Sequence, residues 1–284
     1  MEELQDLRRR IRSIRSTKQI TSAMSLVAST RLRRIETLLE HARPYATTLQ
    51  HIAQDIAART PPWAHPLLTP RQIQVPAYLV LTSDRGLAGG YNAEILRSAV
   101  ERMGGPRGGL VAVVGKKGLD FFRRRGYRLL QEHVYLPDTP QEAIAERIAR
   151  GLLSEYVAGR IDAVYLVYAR FLSRASYKTG ILQLLPIDAA ARTGGDDLSI
   201  PYIYEPSPEV VLDRLLPFYL ASTVYAALVE ARASELAART VAMNAATDNA
   251  EELIDRLTLD YNRARQAEIT QEISEIVTGA ESLR

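Results

Sequence analysis

The chain has 284 residues, 46% of them hydrophobic and 24% charged, with a formal net charge of +3. This is the composition of a globular protein with room for one or two domains. It contains no cysteine, which excludes a disulfide framework, thiolate metal sites and a cysteine nucleophile, and fits a reducing compartment.

The N-terminus, Met1-Glu2-Glu3-Leu4, opens with acids and lacks the apolar stretch of a secretory leader, so export is not expected. Leu4, Leu7, Ile11 and Ile14 form a 3-4-3 ladder, the seam of a coiled coil. The apolar ladder then moves to Ile20, Met24 and Val27 and resumes at Leu32, Ile35 and Leu39, which reads as a stutter. Pro44 falls inside this helix, but the pattern continues through Leu49, Ile52 and Ile56, so a kink is expected there. The helix should stop before Thr60-Pro61-Pro62, and the proline-rich residues 60–75 read as a linker.

The period then changes. Ala77–Thr82, Leu110–Gly115 and Ala163–Tyr168 are short continuous apolar runs rich in β-branched and aromatic residues, as expected of buried parallel strands. Helices are predicted over about Asn92–Met103, Lys116–Arg125 and Pro140–Ala158, and a further strand over Gly180–Ile187. Alternating strands and helices make an open α/β sheet. The longest apolar runs, Ala163–Ala169 and Leu184–Ile187, are too short to cross a bilayer.

From Glu209 onward there is no glycine until Gly279, and the sole proline is Pro217. A helix of that length would run on the order of 100 Å, which marks it as a shaft or coiled coil. Residues 1–45 carry ten Lys or Arg against five acids, whereas residues 209–284 carry seven Arg against thirteen acids. Oppositely charged, amphipathic chain ends are natural partners, a reading favoured over nucleic acid or acidic lipid at the basic end. The expected architecture is a long antiparallel coiled coil of N- and C-terminal helices (1–59 and 209–284) with an inserted Rossmann-like open α/β domain (76–190). In that pairing Ile11 should lie near Ile273.

No catalytic constellation emerges. Thr82–Asn92 is a Gly-rich turn between a strand and a helix, where backbone N–H groups could meet a phosphate. It matches neither G-x-x-x-x-G-K-[ST] nor G-x-G-x-x-G, and Gly86, Gly89 and Gly90 are better read as turning and packing residues. Val114-Gly-Lys-Lys-Gly118 lacks the Ser or Thr of a phosphate loop. His41, His51, His65 and His133 are scattered, so no metal ligand set is expected. A small α/β phosphate- or nucleotide-binding enzyme with helical dimerisation arms stays open as the alternative. On the C-terminal helix, Ala237–Ala246 is a small-residue patch that permits close helix approach. Further along, polar residues alternate with Ile269, Ile273 and Ile276.

Four blocks carry a resemblance. Arg9–Met24 (RRIRSIRSTKQITSAM), Ser83–Gly90 (SDRGLAGG), Val241–Asn249 (VAMNAATDN) and Tyr261–Val277 (YNRARQAEITQEISEIV) resemble, in order, the gamma subunit of F-type ATP synthases of bacterial type. The resemblance covers essentially the whole chain. It implies a non-catalytic central rotor shaft with no cofactor or metal. Such a shaft couples ion-driven rotation of a membrane c-ring to ATP synthesis or hydrolysis at the beta subunits. It further implies alpha and beta subunits of a catalytic hexamer, an epsilon subunit and the c-ring as partners. Membrane association would be indirect, at the cytoplasmic face of the inner membrane, and no nucleic acid would be bound.

By motif position, Met24, Arg31, Arg34, Arg97, Arg265, Gln266, Thr270, Gln271 and Glu272 resemble the residues that face beta. Tyr202, Tyr204 and Glu205 resemble the segment that meets the c-ring. Ser22 and Ser25 depart from the family, where a Lys and a Glu are common. Ala88 stands where Cys is frequent, Pro217 is expected to bend the shaft, and the chloroplast-type cysteine insert is missing.

Overall fold

The computed structural model describes residues 2–61, 65–187, 205 and 207–282. The elements in chain order are α1 (Glu2–Arg59), β1 (Pro76–Leu81), α2 (Tyr91–Met103), β2 (Leu110–Val114) and α3 (Lys116–Arg124). There follow β3 (Arg128–His133), α4 (Glu142–Val157), β4 (Ala163–Ser173), β5 (Ser176–Leu185) and α5 (Pro208–Ser282). The chain divides into two compact units: Met1–Ala28 with Thr240–Arg284, and Ser29–Arg239.

The larger unit is built on a five-stranded sheet of order β3-β2-β1-β4-β5. Strands β1 to β4 pair in parallel, and β5 returns antiparallel to β4. Period-two alternation sends side chains to two different cores. Ala77, Leu79 and Leu81 of β1 and Val164 and Leu166 of β4 face the core shared with Ile148 and Leu152 of α4, Ala53 and Ile56 of α1, and Leu216, Leu220 and Val224 of α5. Tyr78, Val80, Val111, Val113, Tyr165 and Val167 face the opposite core, closed by Ile95 and Ala99 of α2 and Leu119 and Phe122 of α3. A sheet covered on both faces needs apolar residues at consecutive positions, which is why β1, β2 and β4 are continuous apolar runs. Helix α2 ends at Gly104, whose left-handed φ of 68° lets its N–H reach the Val100 carbonyl, a turn that only glycine makes without strain.

Strand β3 (RLLQEH) was not expected. It is an edge strand, half-exposed along its length, and Leu129-Leu130 between Arg128 and Gln131-Glu132-His133 is too short an apolar run to announce it. The linker expectation for residues 60–75 also needs correction. Leu67 and Leu68 are buried in the α4-side core, and Leu67 O accepts the Ile187 N–H at 2.9 Å. The segment plugs the end of the core. Neither Pro44 nor Pro217 ends its helix. An 18-residue window of α5 reaches a mean hydropathy of 1.2, enough by length and composition alone for a membrane span. Leu212, Leu216, Leu220, Val224 and Leu228 of this helix pack into the core of the larger unit.

In the smaller unit the N-terminal part of α1 pairs with the C-terminal part of α5. Arg8 donates to the Tyr261 hydroxyl, Lys18 pairs with Glu251 at 2.7 Å, Thr21 with Thr247 at 2.7 Å, and Ser25 donates to Asn244 Oδ1. Partner numbers fall as α1 rises, so the pairing is antiparallel. Its register differs from the expected one. Ile11 lies at a level between Tyr261 and Glu251, and Ile273 is twelve residues beyond Tyr261, about 18 Å further along the helix.

The expected stutter is absent. The inward positions of α1 run Leu4, Leu7, Ile11, Ile14, Lys18, Thr21, Ser25, Ala28 and Leu32 in unbroken 3-4 alternation, while Ile20 and Val27 stand 57% and 51% exposed. The heptad never shifts. Three polar residues occupy seam positions, and reading apolar residues alone moved the ladder onto the wrong face.

Candidate functional site

The Gly-rich turn after β1 is a set of caps. Asp84 Oδ1 accepts the backbone N–H of Lys116 at 2.9 Å and of Tyr135 at 3.0 Å. Lys117 N donates to Ser83 O at 3.1 Å, and Gly118 N to Thr82 Oγ1 at 2.9 Å. The first N–H groups of α3, which in a phosphate site would face the ligand, are therefore satisfied by Thr82-Ser83-Asp84. Glycine is required here by proximity: a Cβ on Gly118 would stand 2.6 Å from Thr82 Oγ1, and one on Gly115 2.3 Å from Thr82 O. Val114–Gly118 is a packing motif, and the carboxylate of Asp84 occupies the anion position. Asn92 closes the turn through Ser83 N at 3.0 Å. Leu87 and Tyr135, both exposed, hold left-handed φ of 63° and 55°, conformations that cost free energy in a side-chain-bearing residue.

A chain of charges runs from this turn across α5 in the larger unit. Arg239 donates to Gly86 O at 3.2 Å and to Glu235 at 2.6 Å. The buried Glu235 also accepts from Arg232 at 2.6 Å, Arg232 reaches Asp138 at 2.6 Å, and Asp138 binds Arg31 of α1 at 2.6 Å. Beside it, the Tyr91 hydroxyl donates to Ala231 O and Ser234 Oγ to Ala169 O, each at 2.9 Å. Complete burial pushes the Tyr91 phenol well up, with the Glu235 carboxylate adding to the shift. On the same helix Arg43 of α1 bridges Glu230 and the Phe171 carbonyl, both at 2.9 Å. These contacts fasten the sheet and the turn to one face of α5. Apart from Arg31, the sequence reading missed them, since every partner is distant in the chain.

The expected site residues lie on several elements. Arg265, Gln266, Thr270, Gln271 and Glu272 lie together, all exposed, on the last part of α5. In the register set by Arg8 with Tyr261 and Lys18 with Glu251, Arg265 and Gln266 stand level with the first turn of α1 and Thr270 to Glu272 lie beyond Glu2. Ile269, Ile273 and Ile276 are 46%, 57% and 71% exposed. Thr270 and Ser274 donate to the carbonyls of Gln266 and Thr270 at 2.8 and 2.9 Å, so these hydroxyls are satisfied within the helix. Met24 is half-buried beside the Ser25–Asn244 contact, some twenty residues along α5 from Arg265. Arg31 is engaged by Asp138, whereas Arg34 and Arg97 are exposed on α1 and on the outer side of α2. Glu205 is exposed, and Tyr202 and Tyr204 lie outside the described residues.

No group of three or more metal-ligating side chains occurs among the described residues. A cleft of about 730 Å³ between α1, α4 and α5 is lined by Leu38, Tyr45, Leu153, Phe218 and Tyr225. Among its charged residues, Glu146 and Arg150 pair with each other at 2.6 Å. It offers no nucleophile aligned with a base.

Comparison with known proteins agrees with a chain built around helices rather than a catalytic pocket. A family described as ATP synthase matches residues 3–283. ATP synthase gamma chains are similar over full length: 45% identity in Alkaliphilus metalliredigens (99% of each chain) and 44% in Desulforamulus reducens (100% of each). Among solved structures, the rotor of the Euglena gracilis mitochondrial ATP synthase matches with a TM-score of 0.70 and 22% identity, covering 94% of this chain and 99% of that one. A chain from an OSCP/F1/c-ring structure of the same enzyme matches with a TM-score of 0.72 and 23% identity, covering 99% and 95%. The fold is that of a central-stalk chain. This chain belongs to the ATP synthase gamma chain family, as a non-catalytic subunit of the complex.

Proposed function

We propose that this gamma chain is the rotor shaft that carries ion-driven rotation of a c-ring to the beta subunits of an alpha–beta hexamer, at the cytoplasmic face of the inner membrane. The observation that carries the reading is the end of α5. Arg265 and Gln266, level with the first turn of α1, and Thr270, Gln271 and Glu272 further on are exposed together with three isoleucines, and none of them serves a core. Such a surface suits a partner that surrounds it: apolar side chains to slide against, polar groups to make exchangeable contacts. Met24, Arg34 and Arg97 are further contacts to beta in this proposal, and Arg31 would reach beta from its ion pair with Asp138. Tyr202, Tyr204 and Glu205 belong to the c-ring side, and an epsilon subunit completes the stalk.

The shaft works by coupling. Its asymmetric surface stabilises different conformations of the three beta sites in turn, so rotation shifts their relative free energies, and each site pushes back by the same amount. The test is reconstitution. Alone the chain should hydrolyse no ATP; mixed with alpha and beta subunits it should co-purify with them and raise their ATPase activity. Saturable nucleotide binding to the purified chain at the Gly86–Gly90 turn, without association with alpha and beta, would overturn the reading in favour of an enzyme.

A further inference from the structure

Strands β1 to β4 are parallel and begin in register: Ala77 stands opposite Leu110, and Leu110 opposite Arg128, while Pro76 stands opposite Ala163. Helices α2 and α3 run back along the sheet, so their C-termini share that starting edge. Six arginines collect there: Arg102 at the end of α2, Arg107 before β2, Arg123, Arg124 and Arg125 at the end of α3, and Arg128 opening β3. All are exposed; the acids at this edge are Glu101, Glu155 in the cleft lining, and Asp162, whose carboxylate accepts the Gln74 and Val75 N–H groups.

Cations at helix C-termini offset the helix dipole, which accounts for Arg102, Arg123 and Arg124. It does not account for Arg107 and Arg128, which lie outside the helices. Arg123 is paired with Glu132 at 2.8 Å, and Arg125 stacks on Phe121 at 3.9 Å. No ion pair engages Arg107, Arg124 or Arg128 among the described residues.

The same edge holds a shallow cleft of about 650 Å³, with Val75, Leu110, Leu129 and Leu130 beside Arg128 and Arg160, the last paired with Glu155 at 2.9 Å.

We propose that this edge is an electrostatic docking surface for an anionic phospholipid bilayer. Clustered guanidinium groups match a layer of phosphate headgroups, and aliphatic side chains between cations match the glycerol and upper methylene region beneath them. Single-stranded nucleic acid would call for exposed aromatic stacking platforms, and the cleft lining is aliphatic. Contacts of this kind need no fixed register, so the surface could pass over a bilayer while remaining attracted to it. The proposal stands apart from the rotor reading, because lipid binding by the chain requires neither the hexamer nor the c-ring.

The experiment is co-sedimentation of the full chain with large unilamellar vesicles, one set of pure phosphatidylcholine and one with a third of phosphatidylglycerol. Binding to the anionic set alone is expected, weakening as salt is raised. Replacing Arg107, Arg124 and Arg128 together by Gln should lower the partition coefficient about fivefold per arginine, on the order of 100-fold for three. The corresponding Lys variant should retain binding, and the circular dichroism melt reports that each variant is folded. Removing three arginines from α1, with Arg12, Arg15 and Arg33 replaced by Gln, should leave binding within a few-fold of the parent. Equal binding to both vesicle sets, or an equal loss in the α1 variant, would overturn the proposal. So would tighter binding to duplex DNA than to anionic vesicles, abolished by the same triple variant, which would assign the edge to nucleic acid.

Discussion

The same two helices do different work in the two units. Between Ser29 and Arg239 they bury apolar stripes against a sheet and carry ion pairs to the buried carboxylates Glu230 and Glu235. In Met1–Ala28 and Thr240–Arg284 they have only each other, and the seam includes Lys18, Thr21 and Ser25 facing Glu251, Thr247 and Asn244. Leu4, Leu7, Ile11 and Ile14 face the seam, but Ile20, Val27, Leu259, Ile273 and Ile276 face outward. A pair built for stability alone would bring more of these onto the seam in place of the polar residues, whose contacts fix the register at some expense of stability.

That contrast can be broken by substitution. Glu235→Ala should have the largest effect, about 3 to 5 kcal/mol, because it leaves the buried Arg239 guanidinium without its carboxylate partner. Chemical denaturation of the full chain measures it, and a loss below about 1 kcal/mol would mean that the charge chain is peripheral. Leu152→Ala, in the sheet core, should cost about 2 to 5 kcal/mol, while Ile273→Ala should fall within about 0.5 kcal/mol. Comparable losses at the two sites would erase the distinction between the units.

A double-mutant cycle on Thr21→Ala and Thr247→Ala should give a coupling of about 1 kcal/mol. A coupling near zero would remove this pair from the polar contacts that set the register.

The smallest effect concerns alkali. Burial, with the Glu230 carboxylate, pushes the Tyr168 phenol up to about 12. The unfolded chain therefore releases this proton first, so the stability it contributes is complete below pH 10 and declines as pH rises from 10 toward 12. Tyr168→Phe should flatten that alkaline decline in melting temperature, and an unchanged slope would remove Tyr168 as its source.

Much of this architecture is legible in the sequence, and the exceptions have physical causes. Strands β1, β2 and β4 announce themselves because burial on both faces demands unbroken apolar runs. Strand β3 does not, since an edge strand keeps Arg128, Gln131 and Glu132 half in water. The heptad of α1 was misread where Thr21 and Ser25 take seam positions, since a hydroxyl bonded to a residue more than two hundred positions away looks like a surface hydroxyl. Asp84 and Glu235 were invisible for the same reason: the partners that give them a role lie on other elements. The roles proposed for Arg265 to Glu272 rest on the resemblance, because periodicity reports burial within the chain and these side chains are exposed.

The most direct measurement removes Gln266 to Ile276 and compares coupled ATP synthesis by the reconstituted complex with the melting temperature of the isolated chain. A shaft end reserved for the catalytic subunits predicts a strong loss of coupled synthesis with a melting temperature within a few degrees of the full chain. Full synthesis after the truncation, or a collapse of folding that accompanies its loss, would contradict that role.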